Sequence, residues 1–274
     1  MNLPVMIDAT LEVDGRVAVM TLNRDDLRNA LTGTALVDDI VNATAWINSC
    51  EELSVMVLTG AGSAFSAGGN IKDMQSRQGI FAGSALEVEN SYRQGVQRMT
   101  VAMDKTEVPV IAAVNGPAVG AGFDLACMCD LRLASSRALV GETFINLGLI
   151  PGDGGSWYLQ RLVGYQRAAE LTFSGRLVKA EEALALGIFL EVLAPDQLMA
   201  RALELAHQMA SRPPQAIRLT KRLLRLARSQ DLNSLLQQSA AFQGMLHQTE
   251  DHLEAVNAFL EKRDPDFHKF PKFP

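Results

Sequence analysis

The sequence predicts an α/β fold, on two strand-to-helix passages and a helical final third. Residues 108–114 form a continuous apolar, β-branched run, the mark of a strand covered on both faces. Asn115-Gly116-Pro117 ends it, since Asn-Gly favours a turn and Pro117 has no N–H for a ladder. At Gly120-Ala121-Gly122 the backbone can approach a ligand with no large side chain in the way. Residues 123–129 then read as a helix whose first N–H groups point back over the turn. Such a layout can present backbone donors to a developing negative charge; it also suits an ordinary βα connection. The second passage runs from the apolar residues 55–58 through Thr59-Gly60-Ala61-Gly62 into the small, glycine-rich residues 63–70. From Ala168 onward the chain reads as almost wholly helical, with breaks at Gly175, Gly187, Pro195, Pro213-Pro214 and near Asp231. A helical tail on a β-rich first half either covers the sheet or meets a partner subunit.

In chain order, residues 11–22 read as a hairpin turning at Asp14-Gly15. Residues 34–47 place Leu36, Ile40 and Ile47 on one face of an amphipathic helix. After the cradle at 63–70, residues 75–83 are expected to be a mobile loop and 85–103 one long helix. Residues 131–134 and 138–140 read as short strands. A third glycine-rich turn, 148–155, opens a helix at 156–163. The last helix begins with Glu250 and Asp251 and ends with Lys262 and Arg263, as the helix dipole prefers, and Pro265 stops it. No sequence repeat is evident.

Composition excludes several classes. The chain has 274 residues, 48% hydrophobic and 20% charged, which fits a globular protein with a substantial core rather than a disordered one. A net charge of −6 without a basic tract argues against nucleic acid. Cys50, Cys127 and Cys129 match neither a disulfide framework nor a zinc site, and read as core thiols in a reducing compartment. No secretory signal and no apolar run of membrane-spanning length is evident, so a cytoplasmic protein off the membrane is expected.

Familiar motifs fail. The dinucleotide fingerprint lacks its third glycine, with Leu125 and Phe65 in those places, and neither a P-loop nor a Gly-x-Ser-x-Gly elbow occurs. All four histidines lie in the tail, which disfavours a Ser/His/Asp triad. His247 and His252, five apart, do not share a helix face well and are read as surface residues; no metal is expected.

Three segments carry a resemblance: Ala64-Phe65-Ser66-Ala67-Gly68-Gly69-Asn70-Ile71, residues 109–130, and residues 148–155 running on into the following helix. In that order and spacing, with Asn29-Ala30-Leu31 and the ending Phe259 to Arg263, the chain resembles the enoyl-CoA hydratase/isomerase (crotonase) family. The resemblance implies a spiral of ββα units over residues 1–195 and a helical region over 196–274 that builds a homotrimer or a dimer of trimers. It implies an acyl-CoA substrate, CoA entering as part of it and no separate cofactor. The thioester oxygen would be held by the backbone N–H groups of Gly69 and Ala121. Acyl-CoA contacts are implied for Ala64, Phe65, Ala67, Asn70, Ile71, Gly120 and Phe144, and for Phe259 and Lys262 across a subunit interface. The alternative for the last two is an ordinary amphipathic helix.

The acid/base residues depart from the family pattern. Where its hydratases carry two glutamates, this chain has Asp124 and Phe144, and phenylalanine cannot transfer a proton. Asp153 is the candidate substitute, expected to have a lowered pKa at a helix N-terminus and so to act as base; the alternative is a helix cap. Asp124, between Phe123 and Leu125, is expected to be desolvated, with a raised pKa suited to a proton donor. Glu142 is a third choice, expected at the surface or in an ion pair. The expected activity is hydration of a 2-enoyl-CoA or double-bond isomerisation through an enolate. An idle acyl-CoA-binding relative, or a hydrolase or lyase on a branched or aromatic acyl-CoA, stays open.

Overall fold

The computed structural model describes residues 2–267. Its strands are β1 (Ala9–Asp14), β2 (Val17–Leu22), β3 (Val55–Gly60), β4 (Val110–Val114), β5 (Ala118–Val119), β6 (Leu131–Ser135), β7 (Leu139–Gly141), β8 (Val178–Lys179) and β9 (Glu191–Leu193). The first helices are α1 (Leu36–Ser49), α2 (Ile71–Ser76), α3 (Ala85–Gln94), α4 (Val96–Asp104), α5 (Ala121–Met128) and α6 (Gly155–Ser174). α7 (Ala180–Ala185), α8 (Leu198–Ala210), α9 (Pro214–Leu226), α10 (Leu232–His247) and α11 (Glu250–Glu261) follow.

The hairpin forms as its turn residues dictate: β1 and β2 pair antiparallel with Asp14 opposite Val17, and Gly15 takes a φ of +59°. β2, β3, β4, β6 and β9 continue in parallel, giving a sheet ordered β1-β2-β3-β4-β6-β9. β5, β7 and β8 form a second, small sheet. The continuous apolar runs are explained by cover on both faces of the large sheet. Val55, Val57, Ile111 and Ala113 pack with Leu198, Ala202, Ala206 and Ala210 of α8. Met56, Leu58, Val110 and Ala112 join the larger core with α1, α4, α5 and α6 on the other face. α8 presents mostly alanine at this four-residue spacing, which lets it lie close on the sheet.

The chain climbs from the large sheet to the small one and then into a helix, repeatedly. β4, β5 and α5 are one such unit, and β6, β7 and α6 the next. β3 begins an earlier one: Ser66 bridges in parallel to Ala118 before α2 starts. These are the ββα units of the spiral. The repeat lies in the backbone path, with little trace in the side chains. It makes the three glycine-rich turns equivalent places, each leading to a helix N-terminus.

Three expectations are corrected. Residues 85–103 are two helices, broken at Gly95, whose φ of −107° and ψ of −113° leave the helical region. A Cβ there would lie 2.5 Å from the Ser91 carbonyl oxygen. Residues 75–83 hold the end of α2 and a single helical turn at Gly79–Phe81 rather than a plain loop. The region after Ala168 contains β8 and β9, short strands whose partners lie far back in sequence. His247 is exposed and His252 half-buried, in keeping with the surface reading, and their rings meet Nδ1 to Nε2 at 3.0 Å across the break between α10 and α11.

Candidate active site

The site's first half is backbone. Gly68, at φ +76°, lets residues 66–70 lie against the start of α5; a Cβ there would be 2.5 Å from the Val119 carbonyl oxygen and 3.0 Å from the Ala121 nitrogen. This brings Gly69 beside Ala121. Among the described residues neither N–H has a hydrogen-bond acceptor. The segment is clamped from behind. Buried Asn29, at φ +54°, donates from Nδ2 to the carbonyls of Ala61 and Ala64 at 3.0 and 2.9 Å. Ser66 Oγ donates to the Asn29 carbonyl at 2.7 Å, and the Asn70 N–H donates to Thr32 Oγ1 at 2.7 Å. Asn70 also caps α2, accepting from the Lys72 N–H at 3.0 Å.

The second half is carboxylates. Asp124 stands in the first turn of α5, fully buried, and its Oδ2 accepts the Gly155 N–H at 3.1 Å. Glu142 follows β7 and is also fully buried. It is the expectation most plainly overturned, since it has neither surface exposure nor an ion pair. The short helical turn Thr143–Leu147 starts after it, at a Glu142 ψ of 73°, so the segment is not extended and the carboxylate faces inward. Among the described residues, both Glu142 oxygens, Asp124 Oδ1 and Asp153 Oδ1 lack a hydrogen-bond donor. A Cβ on Gly155 would overlap Asp124 Oδ1 and lie 2.5 Å from Glu142 Oε1, so the two carboxyl groups converge on one point above that glycine.

Burial, and then the charge of Glu142, pushes Asp124 well above the usual carboxylate range, as expected for a proton donor. Burial and then the Asp153 charge push Glu142 up to about 7. Burial pushes Asp153 up to about 6, against the lowered value expected from its helix N-terminus; desolvation outweighs the dipole. Nor does Asp153 cap α6: Gly154 holds that position and no side chain caps it. The Asp153 turn is held from α4, where Thr100 Oγ1 donates to the Asp153 carbonyl at 2.6 Å and Gln97 Nε2 to that of Gly152 at 3.0 Å. The Phe144 ring lies beside Gly120, its Cζ 3.6 Å from where a Cβ would be.

A mostly apolar cavity of about 840 Å³ is lined by Ile71, Met74, Phe81, Val88, Tyr92 and Leu149 among others. Met74 reaches Gly69, and the Tyr92 ring packs against Gly152. The other sequence candidates are dispersed. The Phe65 ring is fully buried in the core and Ala64 nearly so, which leaves them their backbone to offer a ligand. Ala67, Gly69 and Asn70 are half-buried, Ala121 and Gly120 are buried, and Ile71 is exposed. Phe259 and Lys262 are exposed at the end of α11. Among the described residues no helix is long and apolar enough to cross a membrane.

The family profile of enoyl-CoA hydratase/isomerase matches residues 12–270. The chain belongs to that family. It is 37% identical over 257 residues to the short-chain-enoyl-CoA hydratase of Clostridium acetobutylicum, covering 92% of this chain and 94% of that one. It is 36% identical over 252 residues to the 2,3-dehydroadipyl-CoA hydratase of Escherichia coli, covering 92% and 95%. Among solved structures, an enoyl-CoA hydratase from Bacillus anthracis superposes with a TM-score of 0.88 at 33% identity, over 95% of this chain and 99% of that one. The fold is the crotonase fold.

Proposed function

We propose that this family member hydrates a 2-enoyl-CoA, taking the enolate through a cradle formed by the Gly69 and Ala121 N–H groups. The observation that carries this is the pairing of two unpartnered backbone donors with buried, proton-holding carboxyl groups beside an apolar cavity. Donors already in place stabilise charge on the thioester oxygen without reorganisation, each worth roughly 3–4 kcal/mol in such sites. Asp124 transfers a proton with the titrating Asp153 beside it, and the acyl chain lies in the 840 Å³ cavity. Isomerisation of a 3-enoyl-CoA is the second reading, favoured by Phe144 at the place of a second glutamate.

We propose also that the chain assembles as a homotrimer or a dimer of trimers through its last helices. α10 buries none of its residues, and Leu232, Phe259 and Leu260 stand 69, 83 and 72% exposed on α10 and α11. Three free cysteines, two of them buried, fit a cytoplasmic setting.

The test is the ultraviolet absorbance of a conjugated 2-enoyl-CoA. Wild type is expected to bleach it with a mass gain of one water, and Asp124→Asn to do so about 10²–10⁴-fold more slowly. New absorbance from a 3-enoyl-CoA at constant mass would make isomerisation the activity. A wild type inert on both overturns the reading.

A further inference from the structure

We infer that Glu142 is the missing second carboxylate, holding one proton jointly with Asp124 and working as its acid/base partner in place of Phe144. The inference rests on the hydratase reading above and names a residue outside the two acid/base positions that the family resemblance implies.

Burying a carboxyl group with no hydrogen bond to either oxygen is costly, and buried groups of this kind ordinarily find partners. Glu142 violates that rule on both oxygens, and Asp124 on one. A single proton between them gives a partner to two of these three oxygens, Asp124 Oδ1 and one oxygen of Glu142. Two ionised carboxylates can only accept, whereas one protonated carboxyl donates to the other. Asp124 Oδ1 and Glu142 Oε1 both lie within 2.5 Å of one point, the place a Gly155 side chain would start. Like charges converging in a buried space disfavour ionising both groups, and the pair titrates as a unit. The other titratable groups facing them are Asp153 and Cys127, and no cation figures among the charges acting on either acid.

One proton on two carboxyls matches what hydration needs. The ionised member takes a proton from water as the water oxygen bonds to Cβ. The Cα=Cβ electron pair moves through Cα and the carbonyl carbon onto the thioester oxygen, leaving an enolate held by Gly69 and Ala121. The protonated member then gives its proton to Cα as the carbonyl reforms. One proton is taken and one given, so the pair ends with a single proton on the opposite carboxyl. Their mutual contact lets it pass back, which resets the enzyme without exchange with solvent.

The experiment pairs kinetics with carboxyl titration. Glu142→Gln is expected to lose about 10²–10⁴ in kcat and one limb of the pH–rate profile. Phe144→Glu placed in the Glu142→Gln background is expected to restore part of both, by returning a carboxylate to the family position. A Glu142→Gln variant within threefold of wild type with an unchanged pH profile overturns the proposal. Carboxyl ¹³C NMR on the ligand-free protein decides the shared proton independently of activity. In wild type the Asp124 and Glu142 signals should move together, and in Glu142→Gln the Asp124 signal should move in one step at lower pH. Independent titration of the two acids overturns the proposal even if the protein is an active hydratase. Joint titration in a protein inert on enoyl-CoA upholds the pair and refutes the hydratase reading.

Discussion

The two halves of the site are built from different material. The Gly69 and Ala121 half is main chain, held by glycines and by the Asn29 clamp, and no side chain performs its chemistry. The Asp124, Glu142 and Asp153 half is side chains gathered from three successive turns around Gly155. A main-chain donor keeps its chemistry through any substitution that spares the backbone path. A carboxylate can be supplied from any position whose side chain reaches the same space. The first half is therefore tied to local sequence, whereas the second can drift along the chain.

Glycine substitutions separate the halves most sharply. Gly155→Ala drives a methyl group into both carboxyl groups, and kcat is expected to fall about 10²–10⁴-fold with the carboxyl titrations disturbed. Gly68→Ala, strained at φ +76° and pressed on Val119, displaces the donors instead. It is expected to cost about 10²–10³ in kcat while Asp124 and Glu142 titrate as in wild type. Equal disturbance of the titrations by both variants would erase the distinction.

A second test uses acid. Glu142 and Asp153 bind protons more tightly folded than unfolded, since their pKa values rise from 4.5 to about 7 and from 3.8 to about 6. Their contribution to stability is thus fully present below about pH 4 and is lost as pH climbs through 6 and 7. The ligand-free protein is expected to lose melting temperature from these groups between about pH 4 and 7. Glu142→Gln should flatten that slope and gain on the order of 2–3 kcal/mol at pH 8. A slope unaltered by the substitution would contradict the buried, cation-free carboxylate half. The smallest effect belongs to the backbone half's edge. Asn70→Ala removes the cap of α2 and is expected to cost about 1 kcal/mol in a denaturant midpoint series, with the carboxyl titrations unmoved.

Legibility in the sequence follows the same division. Strand, turn and glycine-bracketed helix start are local signals, so two candidate backbone cradles can be read without the fold, while the choice of Gly69 and Ala121 within them comes from the family resemblance. So can the hairpin at Asp14-Gly15 and the doubly covered strands β3 and β4. Glu142 could not be placed, because its direction depends on a helical turn begun one residue later and on α5 and α6 closing over it. Asp153 was located but its ionisation was misjudged, since burial is a property of the packed turn rather than of the residue's neighbours in sequence. β8 and β9 escaped for a related reason: two- and three-residue strands exist only because distant strands offer them an edge.

The break at Gly95 has a consequence for how such a protein changes over generations. α3, before it, lines the apolar cavity through Val88 and Tyr92; α4, after it, holds the Gly152–Asp153 turn through Gln97 and Thr100. A continuous helix would transmit any rotation or slide of its first half to its second. The glycine uncouples them, so mutations that reshape the cavity wall leave the proton-handling turn in register. Under the proposed function, preference for chain length or polarity is then open to single substitutions in α3 without re-optimising catalysis, with Tyr92, packed on Gly152, as a place where the cavity wall and the turn meet.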